Sequence, residues 1–115
     1  MRLKSEIWVK AYIRRCASEG SAAFVVRRGD EDAGSIFIRV NHLDGKSVLF
    51  GPASAGLMSA DYERRWSWRL GPDPVEDQAV EDFMEREVRY DPDIWLVEVE
   101  DRSGRHFLDE WLAED

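Results

Sequence analysis

Apolar and polar positions alternate along this chain with two different periods. In SEIWVKAYIRRCASE (residues 5 to 19), Trp8, Val9, Tyr12, Ile13 and Cys16 fall on one helical stripe, which predicts an opening helix. Ser5 stands where an N-cap belongs and Gly20 where a helix ends. A strand competes for the same start, because Ile7, Val9, Ala11 and Ile13 also alternate. From Ala22 the pattern turns β-branched and aromatic. AAFVVRR (22–28) and SIFIRV (35–40) predict strands on either side of GDEDAG, with Gly29 and Gly34 as the positions for positive φ in a tight reversal. Asp44-Gly45 marks a second hairpin, leading to SVLF (47–50). Three strands and two short reversals predict an antiparallel meander.

The small-residue stretch GPASAGLMSA (51–60) predicts a loop. In DYERRWSWRL (61–70), Trp66, Trp68 and Leu70 alternate with Arg65, Ser67 and Arg69, as in a fourth strand, although a helical turn from Asp61 fits too. GPDPVEDQAVEDFMEREVRY predicts a second helix. Asp73 is its N-cap, Pro74 lies in its first turn, and Glu76 is the capping-box acid. Val75, Ala79, Val80, Phe83, Met84 and Val88 make its apolar face, and Asp91-Pro92 stops it. IWLVEVE (94–100) is a further strand, with Trp95, Val97 and Val99 on one side. DRSG (101–104) then turns the chain, and RHFL either returns beside that strand or opens a short terminal helix through Phe107, Leu108, Trp111 and Leu112. The elements predict an α+β fold: a mostly antiparallel sheet of four to six strands with two main helices packed on one face.

Composition adds limits. The 115 residues suit a single globular domain spanning 1–115, with an apolar fraction of 43% and five Trp and five Phe to fill one core. Net charge is −8, unevenly spread: residues 1–72 carry +4 and residues 73–115 carry −12. An acidic chain is repelled by nucleic acid and by anionic membranes, so neither is expected as a partner. No run is long enough to cross a bilayer, no leader-like segment follows Met1, and Cys16 is the single cysteine. These features point to the cytoplasm.

Candidate chemistry is sparse. Arg-Gly-Asp (28–30) matches an adhesion triplet, but three residues carry little specificity and the expected compartment is wrong for it. Asp30, Glu31 and Asp32 lack the spacing and the distal Glu of a calcium loop. His42, His106 and Cys16 lie too far apart in sequence for a zinc motif, so no metal or cofactor is expected. Trp66 and Trp68 among Arg64, Arg65 and Arg69 resemble a single-strand nucleic-acid surface, yet alternating Trp fits an inward strand face better. Arg27 and Arg28, as strand neighbours, point to opposite faces, and one is expected to meet Glu98 or Glu100. The ligand-binding candidates are Arg27, Arg28, Asp30, Arg39 and Asp93, with no catalytic residue assigned.

VVRRGDEDAG followed by DPDIWLVEVEDRSGRHF resembles a family of small alphaproteobacterial proteins of unknown function, domain-of-unknown-function family fourteen-ninety-one. The resemblance spans roughly residues 3 to 108. It implies a stand-alone cytoplasmic bacterial domain and supplies no site residues. Three functions are then open. The first in rank is a protein-interaction or adaptor domain with a protein partner or as a homodimer. The second is a binder of a small anion or nucleic acid through Arg27, Arg28, Arg39 and Arg69. The third is an enzyme with an Asp/Arg site at Arg27, Asp30, Asp91 and Asp93.

Overall fold

The computed structural model describes residues 3–53 and 64–113. The chain runs α1 (Ser5–Ser18), β1 (Ala22–Arg27), β2 (Ile36–Asn41), β3 (Lys46–Pro52), β4 (Trp66–Trp68), β5 (Val75–Glu76), α2 (Asp77–Tyr90) and β6 (Trp95–Glu100), then a 3-10 turn at Asp109–Trp111. This is an α+β fold on one six-stranded sheet. Strand order is β1-β6-β2-β3-β4, with β5 paired to β3; β2 and β6 run parallel and the other pairs antiparallel. Most of the 51–60 loop, and the start of the 61–70 segment, lie outside the described residues. Within that segment, Trp66–Trp68 is a strand.

The expected meander is only half present. The hairpin at Asp44-Gly45 joins β2 to β3. GDEDAG, however, is not a hairpin turn, because β6 inserts between β1 and β2 and pairs with both. The run Ile94-Trp95-Leu96-Val97 is buried throughout, the signature of a strand covered on both faces, and such a strand belongs at the sheet centre.

For the same reason the helices do not share a face, contrary to expectation. Ile36, Ile38 and Val40 join Val97 and Val99 under Trp8, Val9 and Tyr12 of α1. Phe37, Leu49 and Leu96 point the other way, under Val80 and Met84 of α2. A sheet apolar on both sides needs a cover on each. On the α1 side, Trp8 packs against Trp66 with tilted rings and centroids 4.2 Å apart, and the Trp66 Nε1 donates to the Ile36 carbonyl at 2.8 Å. Trp66 is therefore core, as its alternation implied, whereas Trp68, expected on the same inward face, is 41% exposed on the short edge strand.

The helix starts also differ from expectation. Ser5 is the first helical residue and not the cap: its Oγ donates to the Gly34 carbonyl at 2.6 Å and accepts from Arg64 Nη2 at 2.9 Å. The free N–H groups of α1 are met by the GDEDAG backbone, with Ser5 N donating to the Asp32 carbonyl and Glu6 N to the Glu31 carbonyl. Gly29 and Gly34 serve close approach and not positive φ. A Cβ on either would fall within 2.4 Å of the Asp93 carbonyl oxygen. Asp73 does not cap α2, which begins four residues later, with Val75-Glu76 diverted into pairing with Ser47 and Lys46. After β6 the chain does not return as a strand. It passes through Phe107 and Asp109 at positive φ into the 3-10 turn, so the helical alternative for this segment survives as a single short turn.

Asp101 ties the end of β6 to the start of β1. It is buried, accepting from Ser21 Oγ at 2.7 Å, Arg105 N at 2.7 Å and Arg105 Nη2 at 2.9 Å. The Arg105 guanidinium, with these added donors, holds its carboxyl down to about 2.

Two outcomes follow. In chemical denaturation Ser5→Ala is expected to cost about 1–3 kcal/mol, because the buried Arg64 and Gly34 groups lose a partner, whereas Asp73→Ala is expected within about 0.5 kcal/mol of the parent. Because the folded-state pKa of Asp101 lies below its unfolded value, its carboxylate contributes fully above about pH 4, and that contribution fades as pH falls toward about 2. Asp101→Asn should remove about 1–2 kcal/mol of stability at neutral pH and flatten the acid limb of the stability curve over that window.

Candidate functional site

Beside β1, on the α2 side of the sheet, lies an open groove of about 550 Å³. Val26, Val80, Met84, Val88 and Leu96 give it an apolar lining. Its charged residues are Arg27, Arg39, Glu81, Glu85 and Arg89. The groove exists because α2 buries only Val80 and Met84 fully and leaves the sheet margin at β1 uncovered.

At the inner end, Arg39 is nearly buried and surrounded by acids. Its Nη2 lies 3.0 Å from Asp77 and 3.7 Å from Glu81, its Nη1 lies 3.6 Å from Glu98, and its Nε donates to Ser47 Oγ at 3.1 Å. The parallel register sets Arg39 directly beside Glu98. Ser47 Oγ in turn donates to Asp77 at 2.7 Å, and this bond, followed by Arg39, holds the Asp77 carboxyl below the usual range. Arg39 is thus a neutralised structural cation, with no charge to spare for a further anion.

Arg27 differs. A bulge between Val25 and Arg27 brings it opposite Leu96, at the rim of the groove. Its Nη2 donates to the Pro92 carbonyl at 2.8 Å, its Nε is buried without a partner, and among the described residues no carboxylate lies within ion-pair distance. Arg28 faces the opposite side of the sheet, where it pairs with Glu6 and lies over the Trp95 ring at 5.1 Å. The two arginines do point apart, but neither meets Glu98 or Glu100; Glu98 is held by Arg39 and Asn41.

The other candidates scatter. Asp30 turns its carboxylate inward on its own loop, accepting from the Asp32 and Ala33 amides, and its backbone N–H donates to the Asp93 carbonyl. Asp91 accepts from the Asp93 amide, and Asp93 is exposed. The loops bearing these acids meet through backbone, so their carboxylates do not converge on a pocket. Arg69 donates to the Pro52 carbonyl and to Ser67 Oγ, away from Arg27. Among the described residues no three His, Cys, Asp or Glu side chains gather as metal ligands would. The groove's apolar residues were missing from the sequence-based candidates. For Val26 the signal was its place in Phe24-Val25-Val26, three apolar residues in a row on a strand that the sheet leaves at its edge.

A family model described as a protein of unknown function, DUF1491, matches residues 3–109. The chain belongs to the DUF1491 family. Among solved structures, this DUF1491 chain is similar to a family member from Caulobacter crescentus known from a crystal structure, at 38% identity and a TM-score of 0.78, covering 99% of this chain and 100% of that one. An NMR structure of a Caulobacter crescentus DUF1491 protein matches at 40% identity and a TM-score of 0.79, covering 99% of each. A solution structure from Agrobacterium tumefaciens matches at 42% identity and a TM-score of 0.75, covering 87% of this chain and 86% of that one. A search of curated proteins finds no match. DUF1491 carries no assigned activity, so its members lend no site residues to this chain.

Replacing Arg39 by Met leaves Glu98 half-paired in the sheet and is expected to cost about 3 kcal/mol, whereas the double variant Arg39→Met/Glu98→Gln should recover part of that loss. Urea denaturation of the parent, both single variants and the double variant measures the coupling.

Proposed function

We propose that this domain is a protein-interaction module that binds an extended segment of a partner protein along β1. The observation that carries this reading is the contrast between the two sheet edges. On the β4 side, Leu112 bridges to Trp66 and the Ala113 amide donates to the Trp66 carbonyl at 2.8 Å, so the C-terminal segment covers that edge. On the β1 side no described residue pairs with the outward backbone, and Phe24, Val25 and Val26 are 41%, 40% and 52% exposed. An uncovered edge that carries apolar side chains, with no Lys or Pro along it, is a template for an added strand. The apolar groove beside it offers pockets for alternate side chains of that strand.

The nucleic-acid reading has less support: Trp66 is core, Arg39 is neutralised, and net charge is −8. The enzyme reading has less support too, because the Asp30, Asp91 and Asp93 carboxylates do not converge with Arg27. A cytoplasmic setting is part of the proposal, supported by the single cysteine, which is free and buried. No helix among the described residues is long and apolar enough to cross a membrane.

Selection of random decapeptides displayed on phage against the folded domain, followed by NMR titration of the selected sequences, tests this reading. The expected result is shift changes at 22–27 and in the groove, with affinity lost by at least tenfold in Val25→Lys/Val26→Lys, a variant that keeps the parent melting temperature because both side chains are exposed. Shifts that map elsewhere, or full binding by the double variant, overturn it. A concentration-dependent dimer abolished by the same variant also overturns it, since the edge would then meet a second copy.

A further inference from the structure

Resting on the strand-addition reading, we infer that the segment taken up beside β1 carries a carboxylate, and that Arg27 is its receptor. Three cations line the groove, and two are already neutralised. Arg39 lies among Asp77, Glu81 and Glu98, and Arg89 pairs with Glu85 at 2.6 Å. Arg27 alone of the three has no carboxylate neighbour among the described residues. Its guanidinium is nonetheless held in place. The Pro92 carbonyl fixes Nη2 from outside the groove, and Nε is enclosed without a partner. A planar cation pre-positioned at the margin of an apolar lining is costly to leave unpaired and strengthens any carboxylate that enters.

The geometry also sets where the carboxylate falls. Arg27 closes the strand just past the bulge, while Val26 lines the groove beside it. An added strand would bury apolar side chains against Val26, Met84 and Leu96 and reach Arg27 at one end. The exposed acids of the groove do not oppose this at close range, since Glu81 is turned to Arg39 and Glu85 to Arg89. Both an internal Asp or Glu and a free chain terminus supply the required group. Neither the total charge of −8 nor the sequence spacing predicts this local preference for an acid.

The test uses synthetic hexapeptides of alternating Thr and Val, with Glu placed at each position in turn, a matched Gln series, and the host peptide with either a free or an amidated C-terminus. Affinities are measured by NMR titration of the full chain. The expected result is that Glu at one position, or the free terminus, binds roughly tenfold tighter than its Gln or amide counterpart, and that added salt narrows the gap. Arg27→Gln should erase that preference, so that Glu and Gln peptides bind alike, and Arg27→Lys should keep part of it. If Glu and Gln peptides bind the parent equally along β1, and free and amidated termini do too, the carboxylate inference fails and strand addition stands. If no peptide of either series shifts β1 or the groove, strand addition fails with it. A preference for Glu that survives Arg27→Gln assigns the carboxylate to another residue and overturns the role of Arg27.

Discussion

The parallel pairing of β2 with β6 is the constraint on which the rest of this molecule depends. It places the last strand of the chain between the first two and aligns Ile36 with Trp95 through Asn41 with Glu100. Three consequences are geometric. Strand β1 loses contact with β2 and becomes the sheet margin. The two central strands need apolar cover on both faces, so α1 and α2 end on opposite sides. Arg39 comes to lie beside Glu98 in a nearly closed space, where Asp77 and Ser47 complete its coordination.

The GDEDAG loop acquires its role from the same arrangement. Freed from closing a hairpin, it packs flat against the 93–95 backbone: Asp30 N donates to the Asp93 carbonyl, and Trp95 Nε1 donates to the Asp30 carbonyl at 2.7 Å. Its own carbonyls then receive the first amides of α1. Glu31 and Asp32 of the loop face solvent, and their ion pairs with Arg28 and Lys4 are exposed and weak. Its backbone matters more than its charges, and the two glycines are there because a side chain would collide with Asp93.

The two edges of the sheet then divide the molecule functionally. One is closed by the chain's own tail at Trp66, next to the aromatic cluster of Trp8, Tyr12 and Trp111. Among the described residues the other is open and apolar, and it is bordered by a groove in which Arg27 has no carboxylate neighbour. In a heavily charged protein, three exposed apolar residues in sequence on a free strand are a feature that solubility disfavours, which is why the interaction reading rests there and not on the arginine-rich segments.

The sequence alone determined the elements whose periodicity is local. The stripe Trp8-Val9-Tyr12-Cys16, the Asp44-Gly45 hairpin, the alternation of Trp95, Val97 and Val99, and the Val80-Met84 face all follow from neighbours within a few residues, and the family resemblance was carried by two contiguous segments. Tertiary structure decided what depends on distant pairing. Asp73 has every local mark of a cap, yet pairing of Val75-Glu76 with β3 delays the helix past it. GDEDAG has every mark of a turn, yet hydrogen bonds from β6, more than sixty residues away in sequence, outcompete closure of a β1–β2 hairpin. The four arginines proposed as a binding set are equivalent in sequence. Only the bulge before Arg27, the burial of Arg39 among three acids, the helix-side Glu6 beside Arg28 and the backbone bonds of Arg69 make them different. Side-chain charge is written in the chain, but its neutralisation depends on partners brought close only by the folded sheet.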